Sequence, residues 1–228
     1  MKAILRLAFG AILGGVVVFT AWVFGWVEPP ESVLRRAVIF GTIYPAPRED
    51  ATLLPIECPP LHPARLFVVC TRDCEAIWRV VLVRGLGTTL LIDQGRLPPE
   101  SESVTRQRIN AVIRAQHLSL DVASAREMIG CYLRLEGFAP ELVLPPDGVS
   151  AVEAAREGGR EALVALVGRL EASATLERIE VRDAGDGFEG SMLYWDTAGE
   201  GDPILSLSIR LGRNGEIRAV ASRPLGPA

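Results

Sequence analysis

The stretch from Leu7 to Val27, LAFGAILGGVVVFTAWVFGWV, carries no charge and a single hydroxyl, at Thr20. At ~1.5 Å of rise per helical residue it covers roughly 30 Å, the thickness of a bilayer's hydrocarbon. Nothing else in the chain is as restrictive, because inside hydrocarbon each backbone polar group must be bonded within its own segment, which selects a helix. The run predicts a transmembrane helix, with residues 1–28 as membrane anchor. Trp22 and Trp26 fall at its C-terminal end, where an indole rests in the membrane interface with its N–H hydrated, and Pro29-Pro30 stops the helix. Lys2 and Arg6 favour a cytoplasmic N-terminus, against a weaker vote from Arg35 and Arg36. A cleaved signal peptide has a shorter apolar core and small residues before the cut. Only Val23-Phe24-Gly25 approaches such a site, so a retained anchor is expected.

No second apolar run of that length follows. The expected topology is single-pass in a bacterial inner membrane, N-terminus inside, with the remaining mass in the periplasm. The lipid bilayer is then one partner and other envelope proteins are the next. With 49% hydrophobic and 23% charged residues in 228, the chain suits a packed core and not disorder. A net charge of -4 leaves no basic field for phosphates, so nucleic acid is not an expected partner.

Residues 29–64 read as a Pro-rich linker, since PAPREDATLLPIECPPLHP removes donors and biases the chain to extended conformations. Then ARLFVV, AIWRVVLV and TTLLIDQG, aliphatic and β-branched between turns, predict a three-stranded meander. Val104, Ile109, Val112 and Ile113 recur at helical spacing, and SLDVASAREMIGCYLRLEG opens on Ser119 as a cap and closes on Gly137. Meander and helical hairpin make a 65–140 region. A helix over 150–173 carries Leu163, Val164, Leu166, Val167 and Leu170, weakened at Gly158-Gly159. LERIEVRDAG, GFEGSMLYWDT, PILSLSIRLG and GEIRAVAS alternate as four antiparallel strands, with Arg213-Asn214-Gly215 as a two-residue-type hairpin turn. The fold class is α+β: the anchor, the meander, the hairpin, and a helix packed on a four-stranded antiparallel sheet over 150–223. The preceding helix is expected to cover that sheet, and the two later regions can form one domain.

Four cysteines carry most of the visible chemistry. If CTRDC joins two strands by a three-residue loop, Cys70 and Cys74 face each other and a disulfide is reasonable. Outside the cytosol an even count predicts two bridges, with Cys58–Cys131 as the other pair. A thiol-disulfide oxidoreductase using Cys70 and Cys74 is the alternative, but its nucleophile belongs at a helix N-terminus and EAIWRVVLV reads as strand. Cys58, His62, Cys70 and Cys74 match a zinc set by type, yet their spacing is poor and oxidation removes thiolates. Asp183, Asp186, Glu189, Asp196, Glu200 and Asp202 gather at two turns and could offer oxygens to calcium, but tight turns select the same residues. Neither His62 nor His117 adjoins a nucleophile signature, and no phosphate-cradling Gly loop occurs. Trp78, Tyr194 and Trp195 read as packing. No catalytic residue, metal or cofactor is therefore assigned.

RRAVIFGTIYPAPRED and LLIDQGRLPPE resemble an extended segment and a basic-Gly strand end in the Surfeit-locus family of cytochrome oxidase assembly factors. That family's second membrane span is missing and a helical hairpin follows, so the resemblance is not adopted. The functional expectation is an accessory or assembly protein of an envelope complex, acting by protein contact, with a small-ligand-binding module as a further alternative.

Overall fold

Aliphatic runs with no polar alternation make strands buried on both faces, and the first half of this chain contains several. The computed structural model describes residues 14–23, 51–71, 78–85, 87–93, 102–136, 142–171, 176–197 and 203–225. The chain divides into two units, residues 1–57 with 61–108, and residues 58–60 with 109–228.

The first unit holds an antiparallel sheet of β1 (Ala51–Ile56), β2 (Arg65–Thr71), β3 (Trp78–Arg84) and β4 (Gly87–Asp93), in sequence order. Phe67, Val69, Val81 and Val83 pack on one face with Leu53 and Leu90, while Leu66, Val80 and Leu82 are buried on the other. The meander therefore has four strands, not three. The extra strand comes from the expected linker: proline already favours extended φ, and Pro55 lies on the sheet's edge strand, the place in a sheet that tolerates it. Between β2 and β3 the ladder pairs Cys70 with Trp78, and not with Cys74 as a three-residue loop would require; residues 72–77 lie outside the described residues.

Residues 14–23 are helical (α1), and Val16, Val17, Val18, Phe19 and Val23 stand exposed. Thr20 Oγ1 donates to Val16 O at 2.7 Å, so the run's one hydroxyl is bonded inside its own helix. Trp22 is half-buried there; Trp26 lies outside the described residues. Among the described residues no helix is long and apolar enough to cross a membrane.

The second unit is α+β. Helix α2 (Glu102–Ala115) enters it from Ile109 and is followed by α3 (Val122–Leu135), β5 (Val143–Leu144), α4 (Gly148–Glu157) and α5 (Arg160–Glu171). Strands β6 (Glu180–Asp183), β7 (Gly187–Trp195), β8 (Ile204–Gly212) and β9 (Ile217–Leu225) complete it. The antiparallel sheet runs β5-β7-β8-β9, with β6 also paired to β7. It therefore has five strands, the expected four plus the short β5.

Helix α3 lies against β6 and β7 and is buried at Ala125, Met128, Ile129, Cys131, Tyr132, Leu133 and Leu135, nearly all round. This corrects the expectation that the 150–173 segment covers the sheet. That segment breaks at Gly158-Gly159 into α4 and α5, which pair with each other and leave Val164 65% exposed. The cap of α3 also differs: Asp121, not Ser119, holds it, with Asp121 Oδ1 accepting from Ser124 N and Ser124 Oγ accepting from Asp121 N, both at 2.8 Å. Leu120, just before the cap, donates its N–H to Arg213 O at 3.0 Å. The β8–β9 turn is a four-residue connection. Only Gly215 takes a left-handed φ, +84°, in place of the two positive angles of the expected turn.

Two positions hold the packing together. A Cβ on Gly190 would sit 2.4 Å from Ile129 Cδ1, and Ile129 is fully buried with no room to yield. Asn110 acts as a surrogate strand partner for the start of β9: its Nδ2 donates to Ile217 O and its Oδ1 accepts from Ile217 N, each at 2.8 Å. Gly190→Val is expected to destabilise the fold by about 1–3 kcal/mol through overpacking. Asn110→Ala should cost about 1–3 kcal/mol by orphaning two backbone groups. Thermal unfolding of the detergent-solubilised chain checks both, and an unchanged midpoint for either would refute the packing described.

Candidate functional site

Strand alternation sorts the C-terminal sheet into two faces. Phe188, Gly190, Met192 and Tyr194 pair with Leu211, Ile209, Leu207 and Leu205, and α3 approaches this side at Gly190. The opposite row is Glu189, Ser191, Leu193 and Trp195, paired with Arg210, Ser208, Ser206 and Ile204. This outer row is polar except at its Trp195 end, and it borders an open cleft of about 200 Å³.

The cleft is lined by Arg178, Glu180, Ser191 and Ser206, with Leu144 and Leu193 as apolar wall. Arg178 reaches it from the short turn Leu176–Arg178 that precedes β6. Its Nη1 donates to Val143 O at 2.6 Å and its Nη2 to Leu170 O at 3.2 Å, so main-chain carbonyls of β5 and α5 brace the guanidinium. Burial pushes its pKa below the ordinary arginine value. No carboxylate pairs with it among the described residues, and the hydroxyls of Ser191 and Ser206 likewise have no partner there. Trp195, next in the same row, is 2% exposed and its Nε1–H has no acceptor among the described residues. Sequence reasoning had assigned Trp195 to packing and had missed Arg178. In the sequence Arg178 stands between Glu177 and Ile179 in LERIE, where nothing distinguishes it from an ordinary strand-edge charge.

At the far end of the sheet the acidic turn residues are bonded to arginines, not arranged around a vacant centre. Asp183 accepts from Arg213 at 2.7 Å, and Arg213 also stacks 4.9 Å over the Phe188 ring. Asp186 pairs with Arg218, and Glu189 accepts from Arg182 Nε at 3.0 Å and lies 3.5 Å from Arg210. Glu200 and Asp202 lie outside the described residues; Asp196 follows β7, its N–H bonded to Pro203 O. Among the described residues no group of three His, Cys, Asp or Glu could hold a metal ion.

Cys58 and Cys131 form a disulfide with Cα atoms 5.2 Å apart. Cys70 is 1% exposed and also disulfide-bonded, which removes it and Cys58 from the zinc set; Cys74 lies outside the described residues. His62 and His117 are exposed. Comparison with known protein families, curated proteins and solved structures finds no match for this chain.

Three carboxyls, those of the exposed Asp121 and Asp183 and of the partly buried Glu189, are held below their ordinary pKa. The hydroxyl and then the amide of Ser124 do this for Asp121, the Gly185 amide and then Arg213 for Asp183, and Arg182 foremost for Glu189. A carboxyl whose folded pKa is depressed stabilises the fold above its unfolded pKa, near 4, and loses that contribution as pH falls through the folded value. The unfolding midpoint should therefore be level from about pH 7 to 5 and drop below about pH 4. The Asp183→Asn, Glu189→Gln double variant should drop less. Equal acid sensitivity in that variant would show that the arginine pairs do not set the slope.

Proposed function

We propose that this chain is a single-pass envelope protein, anchored in the inner membrane by residues 7–27 with its C-terminal body in the periplasm. It acts non-enzymatically, as an accessory or assembly subunit that binds other envelope proteins. The observation that carries this reading is the conjunction of an uncharged bilayer-length run with a body whose Cys58 and Cys131 are joined. Disulfides persist outside the reducing cytosol, and an anchor confines the body to the membrane surface. The open apolar side chains of 14–23 support the same reading, since lipid is the solvent that suits them.

For protein contact, the relevant surface is the edge of the C-terminal sheet. Strand β9 pairs only with β8 among the described residues, and most of its side chains are exposed. A free edge accepts an added strand, while Pro224 within it works against indiscriminate edge pairing. A redox role for Cys70 and Cys74 has less support, because Cys70 is buried on a strand and lacks the helix N-terminus that stabilises a thiolate.

Membrane fractionation with a C-terminal reporter tests the topology. The chain should stay with the membrane through alkaline carbonate washing and expose its C-terminus only to the periplasm. Release by the wash with the N-terminal run intact, or a cytosolic C-terminus, would refute the proposal.

A further inference from the structure

We infer that the cleft at Arg178 is a carboxylate-binding site, sized for one acidic side chain or one chain-terminal carboxylate of an extended partner. The inference deepens the protein-contact reading, and rests on it only for the nature of the occupant.

A guanidinium has five N–H donors, and the structure commits two of those on Arg178 to Val143 O and Leu170 O. Those bonds fix the group without neutralising it. A half-buried cation with no ion pair is costly unless an anion reaches it, and a fixed guanidinium fork matches the two oxygens of a carboxylate. Ser191 and Ser206 supply two unpartnered hydroxyls in the same cleft, from adjacent strands on one face of the sheet. Leu144 and Leu193 suit the methylenes behind a carboxylate. The volume of about 200 Å³ lies below the roughly 300–1,000 Å³ of pockets that enclose cofactors or drug-sized ligands, so a single small group is the fitting occupant. Glu180, exposed at the same cleft, is the competing charge that holds the affinity down.

The test uses the full chain in detergent with side-chain NMR of the Arg178 Nε–Hε group, titrated with three blocked tripeptides. Acetyl-Gly-Glu-Gly-amide offers a side-chain carboxylate, acetyl-Gly-Gly-Gly-OH a terminal one, and acetyl-Gly-Gln-Gly-amide neither. Saturable shifts with one or both acidic probes, absent with the Gln probe, are expected, and the better of the two identifies the source. Ser206→Ala, which removes a hydroxyl with no partner in the fold, should weaken binding about two- to tenfold, as for the loss of one hydrogen bond. Glu180→Gln should tighten it by about two- to fivefold through loss of like-charge repulsion. Arg178→Lys keeps the charge but not the fork and should lose at least about tenfold. An unmoved Arg178 signal with both acidic probes, equal binding of the Gln probe, or no gain from Glu180→Gln would each overturn the assignment. Because the probes meet purified protein, a wrong topology would leave these readings unchanged.

Discussion

Helix α3 is the element on which the second unit depends, and Cys131 in its middle is bonded to Cys58. From Ala125 to Leu135 this helix is largely buried, while Val122 at its start stays exposed. Its contact with the sheet works because Gly190 offers no side chain opposite Ile129. The disulfide closes a sequence separation of 73, which in the chain-entropy account of crosslinks contributes about 4 kcal/mol. It also joins Cys58–Pro60 to this unit, although their chain neighbours on both sides belong to the other.

With the inner face of the sheet committed to α3, the outer face is left for other uses. The two ends of that face differ in kind. Around Glu189 each carboxylate has an arginine partner, and Glu189 has two. Around Arg178 the cation meets only carbonyl oxygens. Exposed ion pairs of the first sort contribute little to stability. The uncompensated cation is the part of the surface whose chemistry is unfinished.

Much of the architecture was legible because it rests on local periodicity. Strands β2 to β4 and β6 to β9 follow from aliphatic or alternating runs, and α2 and α3 from apolar spacing. The departures have identifiable causes. Pro55 disguised β1 as linker, since a sequence does not say whether a proline falls on a sheet edge. Ser119 and Asp121 are both good caps by type, and the reciprocal bonds between Asp121 and Ser124 are what set the cap at Asp121. The helix that lies on β6 and β7 is α3, from farther back in the chain, and not the segment nearest the sheet in sequence. Asn110 and Arg178 act through partners 107 and 35 residues away, a range that no short pattern encodes.

In the proposed function, anchor and crosslink belong to one physical account: an apolar run that places the body outside the reducing cytosol would also keep its thiols oxidised. Its most direct test is a map of cysteine oxidation in cells. Acid quenching, alkylation of free thiols and mass analysis of the digested membrane protein should recover Cys58 and Cys131 in one crosslinked peptide pair, with neither alkylated. Both residues carrying the alkyl label, or bonded to other partners, would contradict it.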